Sequence, residues 1–374
     1  MIVDKSKISG KRFMFAVAFY LQSSVLLTSF LAGVTKHESW IPVVIGALIS
    51  IPIIYMFRTF MVMFPDKNLL QIFEEVFGKF VGKFLSIAML WFYLTVSALN
   101  VSDLANFVKI TFLPETPRLF TTLCCVLLSV WAVRHGFGVV SRYGSLFTII
   151  EFGIVITSLI FLANQMKFSN FLPIFSLPFM KYVQSTHIIT VIPISEIMVF
   201  LMITPCVRKL EPKQVTKYWF LGAAMGIIVL LAVLMRDIAV LGNALHFFNL
   251  PGLVSLRLVN LGEALSRLEI LFAVGIMLLL FFKITVLVYA STVALATLFG
   301  TVQYKNLALI TGVFIVIYSP TLYDSGIEHV TSARAYEAFT NGLFEVVIPF
   351  ITLVLAKFRN LPKPVKEEAG NEGG

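Results

Sequence analysis

Charge and cysteine are the two things this sequence has little of. Only 13% of its 374 residues are Asp, Glu, Lys or Arg, against 58% that are hydrophobic, and the mean hydropathy is +0.92. A water-soluble domain of this length needs far more surface charge, so that class is excluded. The three cysteines, Cys124, Cys125 and Cys206, all fall in apolar stretches; adjacent cysteines rarely pair with each other, so no disulfide framework is implied and all three are expected to pack in the core. Alternation of apolar and polar residues with period two is missing, which excludes a membrane β-barrel. Chemistry-bearing motifs are missing as well. His37 and Glu38 are not followed by the second histidine of H-E-x-x-H, there is no G-x-S-x-G or G-x-x-x-x-G-K-[ST], and the five histidines lack metal-ligand spacing. Neither an enzyme nor an ATP-driven pump is expected, and no cofactor or metal.

What the sequence does contain is a series of apolar runs, most of them near the ~20 residues that cross a bilayer as a helix. They occupy 12–35, 40–64, 84–113, 119–134, 143–165, 186–207, 217–242, 264–299, 305–323 and 339–357, which predicts ten transmembrane helices. Residues 1–362 then form a single polytopic domain, with one repeat over 12–165 and a second over 186–357, and the polar end 363–374 is expected to be a disordered tail. No small-residue cleavage site follows the first run, so it reads as an uncleaved helix. Of the 29 Lys and Arg, 19 fall on the side of the termini and eight on the other, with Lys109 and Lys283 inside spans. Cytoplasmic loops retain such residues, so both termini are read as cytoplasmic. The net charge of +9 is therefore a topology signal that favours contact with the anionic lipid bilayer over nucleic acid.

Two of the spans are interrupted near their middle. The first carries YLQSSVLLTS, with Gln22, Ser23, Ser24 and Thr28; the sixth carries VIPISEI, with Pro193, Ser195 and Glu196. Pro193 has no backbone N–H and its ring clashes with the carbonyl four residues earlier, which opens the helix near Ile189. Such breaks are tolerated in lipid only where they face protein or a wet cavity. Spans one and six are also where two inverted five-helix repeats place corresponding positions, and matched interruptions point to a transporter's binding site. An unwound turn offers N–H groups and a positive half-helix end to a carboxylate, and carbonyls to an ammonium; a free amino acid carries both groups. The ligand site is accordingly expected at Gln22, Ser23, Ser24 and Val25 with Pro193, Ile194, Ser195, Glu196 and Ile197. Tyr93, Ser97 and Asn100 share a face of the third span by helical spacing and are expected to assist. The plainer alternative for the serines is small-residue helix packing.

An ionisable side chain near mid-membrane costs a few kcal/mol or more unless it meets water or a partner. Seven such residues stand out: Asp103, Lys109, Glu151, Glu196, Glu269, Lys283 and Glu345. Lys109, Glu269 and Glu345 lie toward span ends and are expected to snorkel. More than a dozen residues separate Lys283 from either end of its span. It is expected to act with Glu196 in gating or coupling, its ammonium standing where a coupling cation would sit beside the first break. The alternative is a static pair with Glu196 or Glu151 that serves packing alone.

The stretches FVKITFLPETP (107–117), ISEIMVFLMITPCVRK (194–209), LPGLVSLRLVNLGEALSRLEILF (250–272), which includes Arg267, and FFKITVLVYASTVALATLFG (281–300) together resemble a family. It is that of the endospore germination permeases, the B subunits of nutrient germinant receptors, within the amino acid–polyamine–organocation superfamily. The resemblance covers nearly the whole chain. It implies an all-α membrane protein with a LeuT-like five-plus-five inverted repeat, helices one and six interrupted, in the spore inner membrane. It also implies two partners, a larger A-type membrane subunit and a lipoprotein C-type subunit. One departure stands out: where many relatives have glycines and a following proline in the first break, this chain has SSVLLTSFLAG. The expected function is a receptor subunit that senses a small nutrient, an amino acid. The alternative is an ion-coupled secondary transporter of amino acids or related amines, and a third reading is a channel-forming or assembly scaffold with no ligand of its own.

Overall fold

The computed structural model describes residues 6–24, 28–258, 268–323 and 326–362, so the tail 363–374, Val25 and Arg267 lie outside the described residues. Nine helices among the described residues are long and apolar enough to cross a membrane. The expected tenth, the first span, is divided into α1 (Gly10–Gln22) and α2 (Thr28–Thr35). Then follow α3 (Trp40–Met63), α4 (Leu69–Phe77), α5 (Lys79–Thr111), α6 (Arg118–His135) and α7 (Phe137–Leu162). The sixth span begins as α8 (Phe179–Ile189). After it come α9 (Pro212–Leu241), α10 (Pro251–Arg257), α11 (Leu268–Phe299) and α12 (Tyr304–Leu322). The last span runs from Glu328 to Phe358 as α13 (Gly326–Ser332), α14 (Ala338–Gly342) and α15 (Ile348–Phe358), joined by two π turns, Ala333–Glu337 and Leu343–Val347.

At 1.5 Å per residue α5, with 33 residues, is roughly 50 Å long and exceeds a ~30 Å hydrocarbon core. The short amphipathic α4 packs along it, between the expected spans 40–64 and 84–113. Its signal is local: Asn68 and Gln71 form a reciprocal capping box, and Leu69, Leu70, Ile72, Phe73 and Val76 bury one face.

The sixth span is the axis of the molecule, with every residue from 188 to 207 buried. Lipid-facing apolar side chains lie instead on the surrounding helices, among them Leu48, Leu127, Trp131, Ile160 and Ile317. Cys124 is also exposed rather than packed inside. The α1–α9 contact is close because it is built on glycines. A Cβ on Gly222 would lie 2.7 Å from the Met14 carbonyl, and one on Gly226 2.7 Å from Leu21 Cβ.

The two breaks differ in form. Where Pro193 withholds its N–H, α8 widens into a π turn over Thr190–Ile194, and Ser195 donates its hydroxyl to the Thr190 carbonyl at 2.8 Å. The chain then tightens into a 3₁₀ helix over Ser195–Cys206, so the break is a change of helix type rather than the unwound turn expected. In the first span α1 ends at Gln22, and Ser23 folds its hydroxyl back onto the Tyr20 carbonyl. On the face that carries the termini, the extended residues before α1 are fixed to the end of the sixth span. The Ile8 N–H reaches the Cys206 carbonyl at 2.8 Å, the Arg208 N–H the Ile8 carbonyl at 3.0 Å, and Lys7 Nζ the Pro205 carbonyl at 2.7 Å.

Candidate ligand site

A cavity of about 390 Å³ descends from the face opposite the termini to the middle of the molecule. At its mouth stand the exposed Lys109, Arg118 and Asn249. Its floor is formed by Ser23, Ser24, Ile192, Glu196 and Lys283, so both helix breaks meet there.

The buried charges settle one question left open by spacing: Lys283 pairs with Glu196, Nζ to Oε2, at 2.7 Å. Its ammonium also donates to Ser24 Oγ at 3.1 Å and lies 5.3 Å from the centre of the Tyr20 ring. Tyr20 in turn donates its hydroxyl to Glu196 Oε1 at 2.8 Å. Tyr20 lies in the last turn of α1 and Ser24 just beyond its end, so the end of α1 brings both to the pair. Both charged side chains are about 4% exposed, so each depends on the other for neutralisation.

Of the residues expected at the site, Ser23, Ser24, Asn100, Glu196 and Lys283 line the cavity. Gln22, Tyr93, Ser97, Pro193, Ile194, Ser195 and Ile197 are buried around it without lining it. Ser97 spends its hydroxyl on the Tyr93 carbonyl one turn back, and Asn100 its amide N–H on that of Val96.

Several lining residues carried no sequence signal. Halfway up the wall His329 bonds Asp103 at 2.8 Å and lies 3.4 Å from Glu337, linking α5 to the last span. The Tyr323 ring stacks on His329, and its hydroxyl donates to Glu337 at 2.6 Å. Arg334 holds the start of α2 through the Ser29 and Phe30 carbonyls at 2.9 and 3.0 Å, and Gly33 makes room for its guanidinium. Beyond the cavity, Glu38 fastens the loop after α7 by accepting from the Phe175 and Ser176 N–H groups and the Ser176 and Tyr182 hydroxyls. Burial works against its charge, but these hydrogen bonds prevail and hold its carboxyl below the usual carboxylate range.

One expectation about charge is corrected. Glu345 does not snorkel: the last span begins at Glu328 rather than residue 339, which puts Glu345 near its middle, 0% exposed. Arg236, inside the expected span 217–242, is buried in α9 beside Asp237, Nη2 to Oδ1 2.7 Å, with Ser158 and the Phe272 ring against it. Among the described residues no cluster of His, Cys, Asp and Glu has the geometry to hold a metal ion.

Nine membrane-length helices among the described residues and a divided first span, with the sixth span broken beside a central cavity, define a protein of the LeuT-like five-plus-five fold. The chain belongs to a family of spore germination proteins, whose sequence profile matches residues 7–365. It is 24% identical to spore germination protein KB of Bacillus subtilis (strain 168) over 98% of this chain and all of that protein. In fold it is similar to MHP1, a nucleobase-cation-symport-1 family transporter solved in a closed conformation with bromovinylhydantoin bound. The TM-score is 0.69, with 10% identity over 93% of this chain and 78% of that one. It is similar also to MhsT in complex with L-phenylalanine, with TM-score 0.67 and 14% identity over 96% and 90% of the two chains. The family is one of germination proteins, and the fold is shared with transporters of known structure.

Proposed function

We propose that this chain is the ligand-sensing membrane subunit of a nutrient germinant receptor, and that its nutrient is a small amino acid held at the floor of the cavity. The observation that carries this reading is the meeting of both helix breaks at the Glu196–Lys283 pair, at the end of a cavity reached from one side of the membrane. A volume of about 390 Å³ suits a small solute. The ligand's ammonium would approach Glu196 and its carboxylate Lys283, each taking over half of a pair already desolvated. The expected residues Gln22–Val25 and Pro193–Ile197 then act as a group, some by contact and the rest by shaping the breaks. Lys283 beside Ser24 supplies the positive charge that a cation would bring to the first break, and Glu196 acts as the gate by exchanging partners between Lys283 and the ligand. Termini in the cytoplasm and the cavity opening outward would let a spore inner-membrane receptor meet nutrients from outside. The A-type membrane subunit and the lipoprotein C-type subunit would receive the change of state.

An ion-coupled transporter of amino acids or amines uses the same cavity, and the likeness of fold to MHP1 and MhsT favours keeping it as the second reading. The test is to reconstitute the protein in liposomes and measure binding and uptake of radiolabelled amino acids on one preparation. Binding without uptake is expected. Accumulation of solute against its gradient would overturn the receptor reading in favour of transport, and absence of both would remove the amino acid.

A further inference from the structure

Glu345 is used by nothing described so far. Its carboxyl is 0% exposed, and neither oxygen has a hydrogen-bond partner among the described residues. It lies on the π turn Leu343–Val347, which is held against α5 by Phe344 stacking on Phe92 at 4.8 Å. The titratable groups within its electrostatic reach are Tyr20 of α1, Tyr93 of α5, Glu196 of the sixth span and Lys283 of α11. The Tyr93 hydroxyl also has no partner among the described residues.

These groups comprise two carboxyls and one ammonium, and the ammonium is already committed to Glu196 at 2.7 Å. An enclosed carboxylate with neither counter-ion nor hydrogen bond costs several kcal/mol, whereas the neutral acid loses only the hydration of a polar group. One proton on the cluster removes the excess charge. We propose that Glu345 is a proton-binding site that shares Lys283 with Glu196, protonated while the ammonium is committed to Glu196 and ionised when the ammonium turns to it. In the arrangement seen here Glu345 holds the proton. When Glu196 turns to another cation, Lys283 becomes the counter-ion of Glu345, and the proton leaves the Glu345 carboxyl through the cavity that Lys283 lines. The proton site stands without any nutrient, and only the trigger for the exchange rests on the ligand reading.

The test is infrared spectroscopy of the full chain in lipid nanodiscs, titrated with acid and base and with no amino acid added. At neutral pH the wild type is expected to show the C=O stretch of a protonated carboxyl, shifted in D₂O and missing in Glu345→Gln. In Glu196→Gln, where Lys283 has lost its partner, the same band is expected to vanish at a pH lower by about one unit or more. A wild type without the band, or a Glu345→Gln spectrum identical to it, would overturn the proton site. An unshifted titration in Glu196→Gln would overturn the sharing of Lys283. Glutamine is a neutral isostere of the acid, so Glu345→Gln should also melt no lower than the wild type at neutral pH. A lower melting temperature in that variant would indicate an ionised Glu345 and count against the proposal.

Discussion

Two ion pairs of the membrane interior, equal in length, have opposite character. Arg236–Asp237, 2.7 Å, joins neighbours on a single helix, both 0% exposed in their side chains, with Ser158 and the Phe272 ring completing the enclosure. Glu196–Lys283, also 2.7 Å, joins two elements 87 positions apart, and both partners line a cavity. Adjacent residues on one helix cannot be parted by any movement of helices, so the first pair has one arrangement. The second spans the 3₁₀ segment and α11, and any shift between them opens it. Distance and burial alone do not separate a structural pair from a working one; connectivity and access to the cavity do.

The sharpest way to break the comparison is to remove one partner of the sealed pair. Arg236→Met leaves Asp237 buried without a counter-charge, and a loss of about 3–5 kcal/mol is expected. It should appear as a large fall in thermal stability in detergent and in protein level. Restoring neutrality with Arg236→Met and Asp237→Leu together should recover most of that loss, because a buried pair exchanged for apolar groups of similar volume is often neutral. A double variant as unstable as the single one would show that the pair does more than cancel charge.

The same operation on the cavity pair should give the opposite pattern. Glu196→Gln leaves Lys283 beside the cavity and within reach of Glu345, so the fold should tolerate it. The nutrient dose-response should shift by roughly 10- to 100-fold, the worth of a charge-assisted hydrogen bond of about 1.5–3 kcal/mol. Adding Lys283→Met removes the leftover charge but not the defect, so the double variant should assemble normally and remain unresponsive. Full recovery of response in the double variant would reduce Glu196–Lys283 to a static pair like the other.

Much of this contrast was legible in the sequence, and the part that was not has a physical reason. Apolar runs of about 20 residues mark the crossings because the bilayer imposes both length and composition. Pro193 marks the sixth break because a missing N–H must distort a helix somewhere nearby. Lys283 demands a partner because its charge has no route to water along its own helix. Glu345 reads as a terminal charge because the polar stretch 328–338, which opens the last span, has no apolar run to mark it. Tyr20 and His329 were invisible for another reason. A tyrosine among apolar residues, or a histidine near a helix start, acquires its meaning only from what the other helices bring against it.

Tyr20 offers the next smaller test, because it holds Glu196 without being charged. Tyr20→Phe keeps the ring beside Lys283 and deletes the hydroxyl that donates to Glu196 Oε1. A neutral donor to a carboxylate is worth about 1.5 kcal/mol net, which corresponds to roughly tenfold in the dose-response. Thermal stability should change little, since the freed oxygen belongs to a residue that lines the cavity.

The smallest effect is expected at Ser24, and it discriminates between the two origins the serines can have. Ser24 accepts from Lys283 at 3.1 Å and lines the cavity floor, whereas Ser23 bonds the Tyr20 carbonyl on its own helix. Ser24→Ala removes one acceptor from an ammonium that keeps Glu196 and the Tyr20 ring, so about 1 kcal/mol or less is at stake and the response should weaken by no more than several-fold. Ser24→Leu is different in kind: it fills the floor where both breaks meet and should abolish the response while protein level stays normal. If small-residue packing were the whole role of Ser24, the order would change. The leucine variant would then fail to assemble, and alanine would be indistinguishable from the wild type in both stability and response. Comparing the two substitutions by melting temperature and by dose-response therefore decides whether the first break is part of the working pair or only a place where helices come close.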